Sequence, residues 1–144
     1  MLELKINQCG SLKCMETFVL EHHVQGGLDF TALDRSRGEW GEPADDVTAI
    51  TIDYLSYSLQ AFEEMAGPFE KLFLCFWRNY LNKTGDDEIL GVVQPFYAWR
   101  SLMLASPLWY PQLPTRMRKK ILRFAAIVLN AERLDFESVK SYLE

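Results

Sequence analysis

Histidine and cysteine are scarce in this chain: it has two of the first, His22 and His23, and three of the second, Cys9, Cys14 and Cys75. The histidines are adjacent and read as turn residues beside Gly26 and Gly27, while the cysteines are odd in number and lack metal-type pairing. Neither a zinc site nor a disulfide framework follows. With no charged n-region and apolar h-region at its start, the chain is expected in a reducing, cytoplasmic compartment. Long apolar runs are also missing. The stretch 72–77 is among the longest and falls far short of the roughly 20 residues of a membrane span, so no membrane role is expected. Basic residues are outnumbered, 15 Lys and Arg against 20 Asp and Glu, giving a net charge of −5. Phosphate contacts require cations, so a dedicated nucleic-acid binder is excluded. The basic group Arg116, Arg118, Lys119, Lys120 and Arg123 reads as a solvated helix face. Internal repeats and low-complexity segments are absent.

Apolar and aromatic residues are plentiful, at 49% and 13% of 144 positions. That is enough to bury a core in one domain, and burial on this scale offsets the entropy of ordering the chain. Two regimes meet near Pro43. Before it, Leu2 to Ile6 alternates apolar and polar, and residues 17–21 and 28–33 flank the Gly26-Gly27 turn, the pattern of a short strand and a β-hairpin. Residues 35–43 have the composition of an ordered loop.

After Pro43 the period becomes helical. A helix over 44–66 places Val47, Ile50, Tyr54, Tyr57, Ala61 and Met65 on one stripe, with Asp45 and Asp46 in the first turn, where the helix dipole favours carboxylates. A second over 69–82 carries Leu72, Phe73, Phe76, Trp77, Tyr80 and Leu81 and stops at Gly85, after which an aspartate caps the next. A third is predicted over 87–105 with a kink or widening near Gln94 imposed by Pro95. Pro107, Pro111 and Pro114 make a loop. A fourth helix spans 115–131 with Ile121, Leu122, Ala125, Val128 and Leu129 inward, and a short helix follows Asp135. Trp77, Trp99 and Trp109 read as core aromatics.

The chemically informative stretch joins these regimes. Leu33-Asp34 ends an apolar strand, and Gly41-Glu42-Pro43-Ala44-Asp45-Asp46-Val47 opens a helix. A carboxylate held at a strand end is a pre-oriented hard oxygen ligand suited to Mg²⁺. The alternative is a strand-end carboxylate that is solvated or paired with Arg35 or Arg37. In order and spacing the stretch resembles the aminoglycoside phosphotransferase and choline kinase-like family, in which a strand ending in I-D is followed by a loop and G-D-P-x-x-D-[LIV]. The resemblance assigns Asp34 to the metal that bridges the nucleotide phosphates and Asp46 to an aspartate that braces the neighbouring loops.

The same resemblance implies an upstream catalytic loop, H-G-D-x-x-x-x-N-[IV] in the family, opposite residues 9–17. There Cys9 stands for the histidine, Ser11 for the catalytic aspartate and Glu16 for the metal-binding asparagine. A serine cannot accept a proton as a carboxylate does, so general-base assistance worth typically ~10²–10⁴-fold is expected to be lost. Tyr97 to Arg100 falls where family members build part of the acceptor site, giving Trp99 and Arg100 as substrate candidates; a paired arginine is the plainer alternative for Arg100.

From these readings a single α+β domain is expected, mainly helical: a protein kinase-like C-lobe in which a β-hairpin and a short strand (1–43) pack on four or five helices (44–144), without an N-lobe. The implied function is the C-lobe of an ATP-dependent small-molecule phosphotransferase, incompetent alone, with Mg²⁺ and ATP as its cofactors and a small hydroxylated molecule as substrate. The alternatives are a non-enzymatic homodimeric interaction module and one half of a split kinase completed by an N-lobe polypeptide.

Overall fold

The structure is a computed structural model, and it describes residues 22–25, 29–32 and 41–144. The chain divides into two compact units, 1–41 and 42–144. In the first, β1 (His22–Gln25) and β2 (Asp29–Ala32) pair antiparallel, with His22 opposite Ala32 and Gln25 opposite Asp29. His22 and His23 are therefore strand residues and not turn residues. The readings of a strand over 2–6 and of strand structure at 17–21 lie outside the described residues.

The second unit corrects the fold class. From Glu42 to Glu144 it contains no strand; it consists of α1 (Pro43–Phe62), α2 (Gly67–Thr84), α3 (Gln94–Ala105), α4 (Thr115–Asn130) and two 3₁₀ helices, Asp87–Gly91 and Phe136–Leu143. The expected α+β, kinase-like C-lobe, with a hairpin and strand packed on helices, is not what this unit is. Its helices close their core on one another: Phe73 and Trp77 from α2, Tyr97 from α3 and Phe124 from α4 are fully buried together with Leu55 and Leu59 from α1. Large rings that interlock in this way fill the space between the helices themselves. None of the described helices is long and apolar enough to cross a membrane.

Local chemistry sets the helix limits. Glu42 caps α1, its carboxylate accepting from the Ala44 N–H at 3.4 Å, and Pro43 occupies the first turn, where its missing N–H costs nothing. α1 ends at Glu63, which takes a left-handed conformation with φ 61°. The α1–α2 turn is held by Ser58, whose hydroxyl accepts from the Ala66 N–H at 2.8 Å and donates to the Glu64 carbonyl at 2.8 Å. Gly85, with φ +68°, ends α2 as its position predicts, and Asp86 accepts from the Ile89 N–H at 3.3 Å to start the following 3₁₀ turn. Pro95 does not kink a long helix. It opens α3, and the chain before it winds as a separate 3₁₀ helix, because the first turn is where proline fits a helix without losing a hydrogen bond.

The inward faces differ from expectation on two helices. On α1 the buried set is Ala44, Val47, Thr48, Ala49, Thr51, Ile52, Leu55, Ser56, Ser58 and Leu59, while Ile50, Tyr54 and Tyr57 are half-buried and Ala61 is exposed. Thr48 and Thr51 can be buried because each hydroxyl donates to the carbonyl one turn earlier, Ala44 and Val47, at 2.6 Å. On α4 the core face is Met117, Ile121, Phe124, Ala125 and Val128, and Leu122 and Leu129 point outward. Of the tryptophans assigned to the core only Trp77 is there; Trp99 and Trp109 are exposed.

A polar hub sits inside this apolar core. Since the Thr51 hydroxyl hydrogen goes to the Val47 carbonyl, the Tyr97 O–H donates to Thr51 Oγ1 at 2.5 Å, and Tyr97 Oη accepts the Trp77 indole N–H at 3.2 Å. Burial pushes the Tyr97 phenol well above its ordinary pKa, so it stays a neutral donor. The ring packs edge-on against Phe124 with centroids 5.4 Å apart. Replacing Tyr97 with Phe leaves the Trp77 N–H buried without an acceptor, a loss of about 1–3 kcal/mol in urea unfolding. In the Tyr97→Phe background, Trp77→Phe should then cost much less than in the wild type, a double-mutant coupling that a purely steric role would not produce.

Candidate functional site

The segment carrying the phosphotransferase resemblance forms the first turn of α1, and Arg100 of α3 holds it there. The Arg100 guanidinium forms an ion pair with the Asp45 carboxylate, donates to the Asp45 carbonyl at 2.9 Å and reaches Thr48 Oγ1 at 3.2 Å. The Thr48 hydroxyl has already given its hydrogen to the Ala44 carbonyl, so it accepts from Arg100. One planar group thus grips backbone, carboxylate and hydroxyl of a single turn, a task suited to the rigid guanidinium fork and not to a lysine ammonium. The Arg100 side chain is only 11% exposed. It faces the protein, and it brings together two segments, 41–47 and 97–100, that the same resemblance singled out.

The remaining predicted residues are distributed differently. Asp46 lies on the exposed side of the same turn and makes no hydrogen bond or ion pair with a described residue. Trp99, beside Arg100 in sequence, is 63% exposed. Ser11, Glu16 and Asp34 fall outside the described residues. Among those described, no three His, Cys, Asp or Glu side chains are grouped to hold a metal ion.

Sequence reasoning passed over Asp53. It is the only charged residue between Val47 and Phe62, and a lone acid in an otherwise uncharged helical stretch was the available signal. Burial pushes its carboxyl up to about 6, against the opposing pull of Arg100. One turn further along α1, Ser56 and Gln60 line a cleft of about 250 Å³ whose opposite wall is Leu104, Trp109, Tyr110 and Leu113. The Gln60 amide donates to the Ser56 carbonyl at 3.3 Å. The Tyr110 phenol is raised first by burial and then by the charges of Asp53 and Tyr57, which places the acid close to this wall. The Ser56 hydroxyl and Gln60 amide face a wall that carries the Trp109 indole and Tyr110 phenol rings, a mostly apolar lining.

Two measurements test the site. Arg100→Leu should cost about 2 kcal/mol of stability, below the roughly 3–5 kcal/mol of a fully buried pair because Asp45 retains solvent access, and Arg100→Lys should recover only part of it. For Asp53 the folded pKa exceeds the unfolded one, so the folded state holds the extra proton and stability falls as pH rises from about 4 to about 6. Asp53→Asn should remove that slope and stabilise the chain at pH 7 by on the order of 2 kcal/mol, with little effect at pH 4, in denaturation followed across pH.

Comparison of the chain with protein-family models, with curated proteins and with solved structures finds no match to any of them.

Proposed function

We propose that the chain is the acceptor-side part of an ATP-dependent phosphotransferase acting on small hydroxylated molecules, and that the 144-residue polypeptide does not turn over by itself. The observation that carries this reading is the Asp45–Arg100 clasp, which joins the Gly41-to-Val47 segment to the Tyr97-to-Arg100 segment. The resemblance gives the first segment a bracing aspartate, Asp46, and the second a part of the acceptor site, and the two touch through Asp45 although they are about fifty positions apart in sequence. Arg100 is then a positioning residue. It fixes the helix start that carries Asp46, and the cleft between Ser56 and Tyr110, which none of residues 97–100 lines, is a separate candidate place for the acceptor.

In this reading ATP with Mg²⁺ supplies the phosphoryl group, and Asp34 and Glu16 hold the metal. Ser11 stands at the family's base position and cannot remove the acceptor proton, so in this reading the base comes from elsewhere. The setting is cytoplasmic, without nucleic acid or membrane as ligand. A second reading, a homodimeric interaction module, is favoured by the outward leucines of α4.

The purified chain should show no ATP hydrolysis and no phosphorylation of aminoglycosides or choline in the presence of Mg²⁺. Co-expression with a polypeptide bearing a glycine-rich loop and a strand lysine should yield transfer to a hydroxylated amine, and Asp34→Ala should abolish it. Robust transfer by the chain alone would overturn the claim of incompetence. If no nucleotide-binding polypeptide elicits transfer, and no polar small molecule raises the melting temperature of the wild type relative to a Tyr110→Ala variant, the phosphotransferase reading fails.

A further inference from the structure

The wall of the cleft that faces α1 comes mostly from the loop between α3 and α4, and that loop is held from behind. α3 ends at Ala105, and the last carbonyls of a helix have no partner within it. Arg118, one turn into α4, supplies one: its Nη1 donates to the Ala105 carbonyl at 2.7 Å. Its Nη2 binds the Tyr110 carbonyl. A cation at the C-terminal end of a helix is favoured by the helix dipole, and hydrogen bonds from a charged donor are among the stronger ones. Both nitrogens belong to one rigid planar group, so the carbonyls of positions 105 and 110 are brought side by side. The residues between them form a closed turn. Within it the Tyr110 N–H donates to the Ser106 carbonyl at 3.0 Å and the Leu108 N–H to the Ser106 hydroxyl at 3.3 Å.

This turn carries Trp109, which lines the cleft with Tyr110 and Leu113, across from Ser56 and Gln60. The two halves of the loop are secured in different ways. Tyr110 and Leu113 are half-buried and pack against the core. Leu108 and Trp109 are exposed. Packing therefore places the second half, while the first half takes its position from the tie across its two ends. The Tyr110 carbonyl is the joint between the halves: it accepts the Leu113 N–H at 3.1 Å as well as the Arg118 guanidinium, using both lone pairs. Pro107 and Pro111 stiffen the backbone on either side of Trp109, so a change at the tie is passed to the ring and not absorbed by the chain.

We infer that Arg118 is the positioning residue of the cleft: by bridging the Ala105 and Tyr110 carbonyls it sets where the Trp109 ring stands opposite Ser56 and Gln60, and with that the size of molecule the cleft admits. Arg118 is not among the residues that line the cleft, so it acts through the wall. Lysine is no substitute, since one ammonium on a flexible stem does not hold two carbonyls at a fixed spacing. The consequence for acceptor choice rests on the reading of the cleft as the place of the acceptor, and the experiment separates the two.

The full chain labelled with 5-fluorotryptophan gives one fluorine resonance for each of its four tryptophans, assigned by replacing each in turn with phenylalanine. In Arg118→Met the Trp109 resonance should shift or broaden, while that of the buried Trp77 stays in place and the helical circular dichroism is unchanged. A Trp109 resonance that does not move in the folded variant would overturn the inference. Arg118→Lys should alter Trp109 as Arg118→Met does, and it decides the matter alone if the methionine variant does not fold; a wild-type spectrum with lysine would show that charge suffices and would overturn the bridging role. Choline and an aminoglycoside, titrated as probes at the same resonance, should bind about tenfold or more weakly to Arg118→Met than to the wild type. Equal affinity would overturn the control of admission. If neither probe perturbs Trp109 in the wild type while Arg118→Met does, the positioning role stands and the cleft is lost to the acceptor reading.

Discussion

At the Tyr97 hydroxyl three helices, α1, α2 and α3, converge on a single polar atom. It sits where water cannot reach, and it is tolerable there because both of its hydrogen-bonding roles are used, donating to α1 and accepting from α2. An apolar core is indifferent to small slides of one helix along another. A hydroxyl that must meet Thr51 and Trp77 together is not, so it fixes the registers of α1, α2 and α3 jointly. Everything placed by those registers, including the reach of Arg100 to the first turn of α1 one turn further along α3, inherits that definition.

The Arg100 clasp shows how a site can be stiffened from behind. Its guanidinium was a candidate for touching substrate, but its Nε and Nη2 are engaged with Thr48 and Asp45. Its effect on any ligand is to hold the start of α1 still. Positioning of this kind reaches a ligand only through the helix start it holds.

Punctuation was legible in the sequence, and orientation was less so. Gly85, Pro43 and the prolines at 107, 111 and 114 mark where helices begin and end, because proline and glycine act through the backbone whatever surrounds them. The inward faces were harder to read. Counting only apolar residues shifted the α1 stripe toward Tyr54 and Ala61, because Thr48, Thr51 and Ser58 are polar by composition yet neutralised by local acceptors. On α4, Leu122 and Leu129 satisfy an apolar pattern one residue away from the true stripe, and hydrophobicity by itself does not say which of two apolar faces turns inward. The hairpin and sheet-backed architecture inferred from the resemblance did not carry over to the helical unit, whose aromatic rings fill the space between helices themselves. At the site, the resemblance drew attention to Arg100 and its neighbours but not to Asp53, whose environment is set by residues distant in sequence.

Two ties at the foot of the α3–α4 pair have a consequence for how this molecule opens. The Leu134 amide donates to the Leu90 carbonyl at 2.8 Å, and the Gln94 side chain spans to the Glu132 carbonyl at 3.1 Å. Together they buckle the segment entering α3 to the segment leaving α4, so the end of the hairpin that would otherwise fray is shut. The α1–α2 corner is secured differently, by the Ser58 hydroxyl across a turn in which Glu63, a non-glycine residue, takes a left-handed conformation.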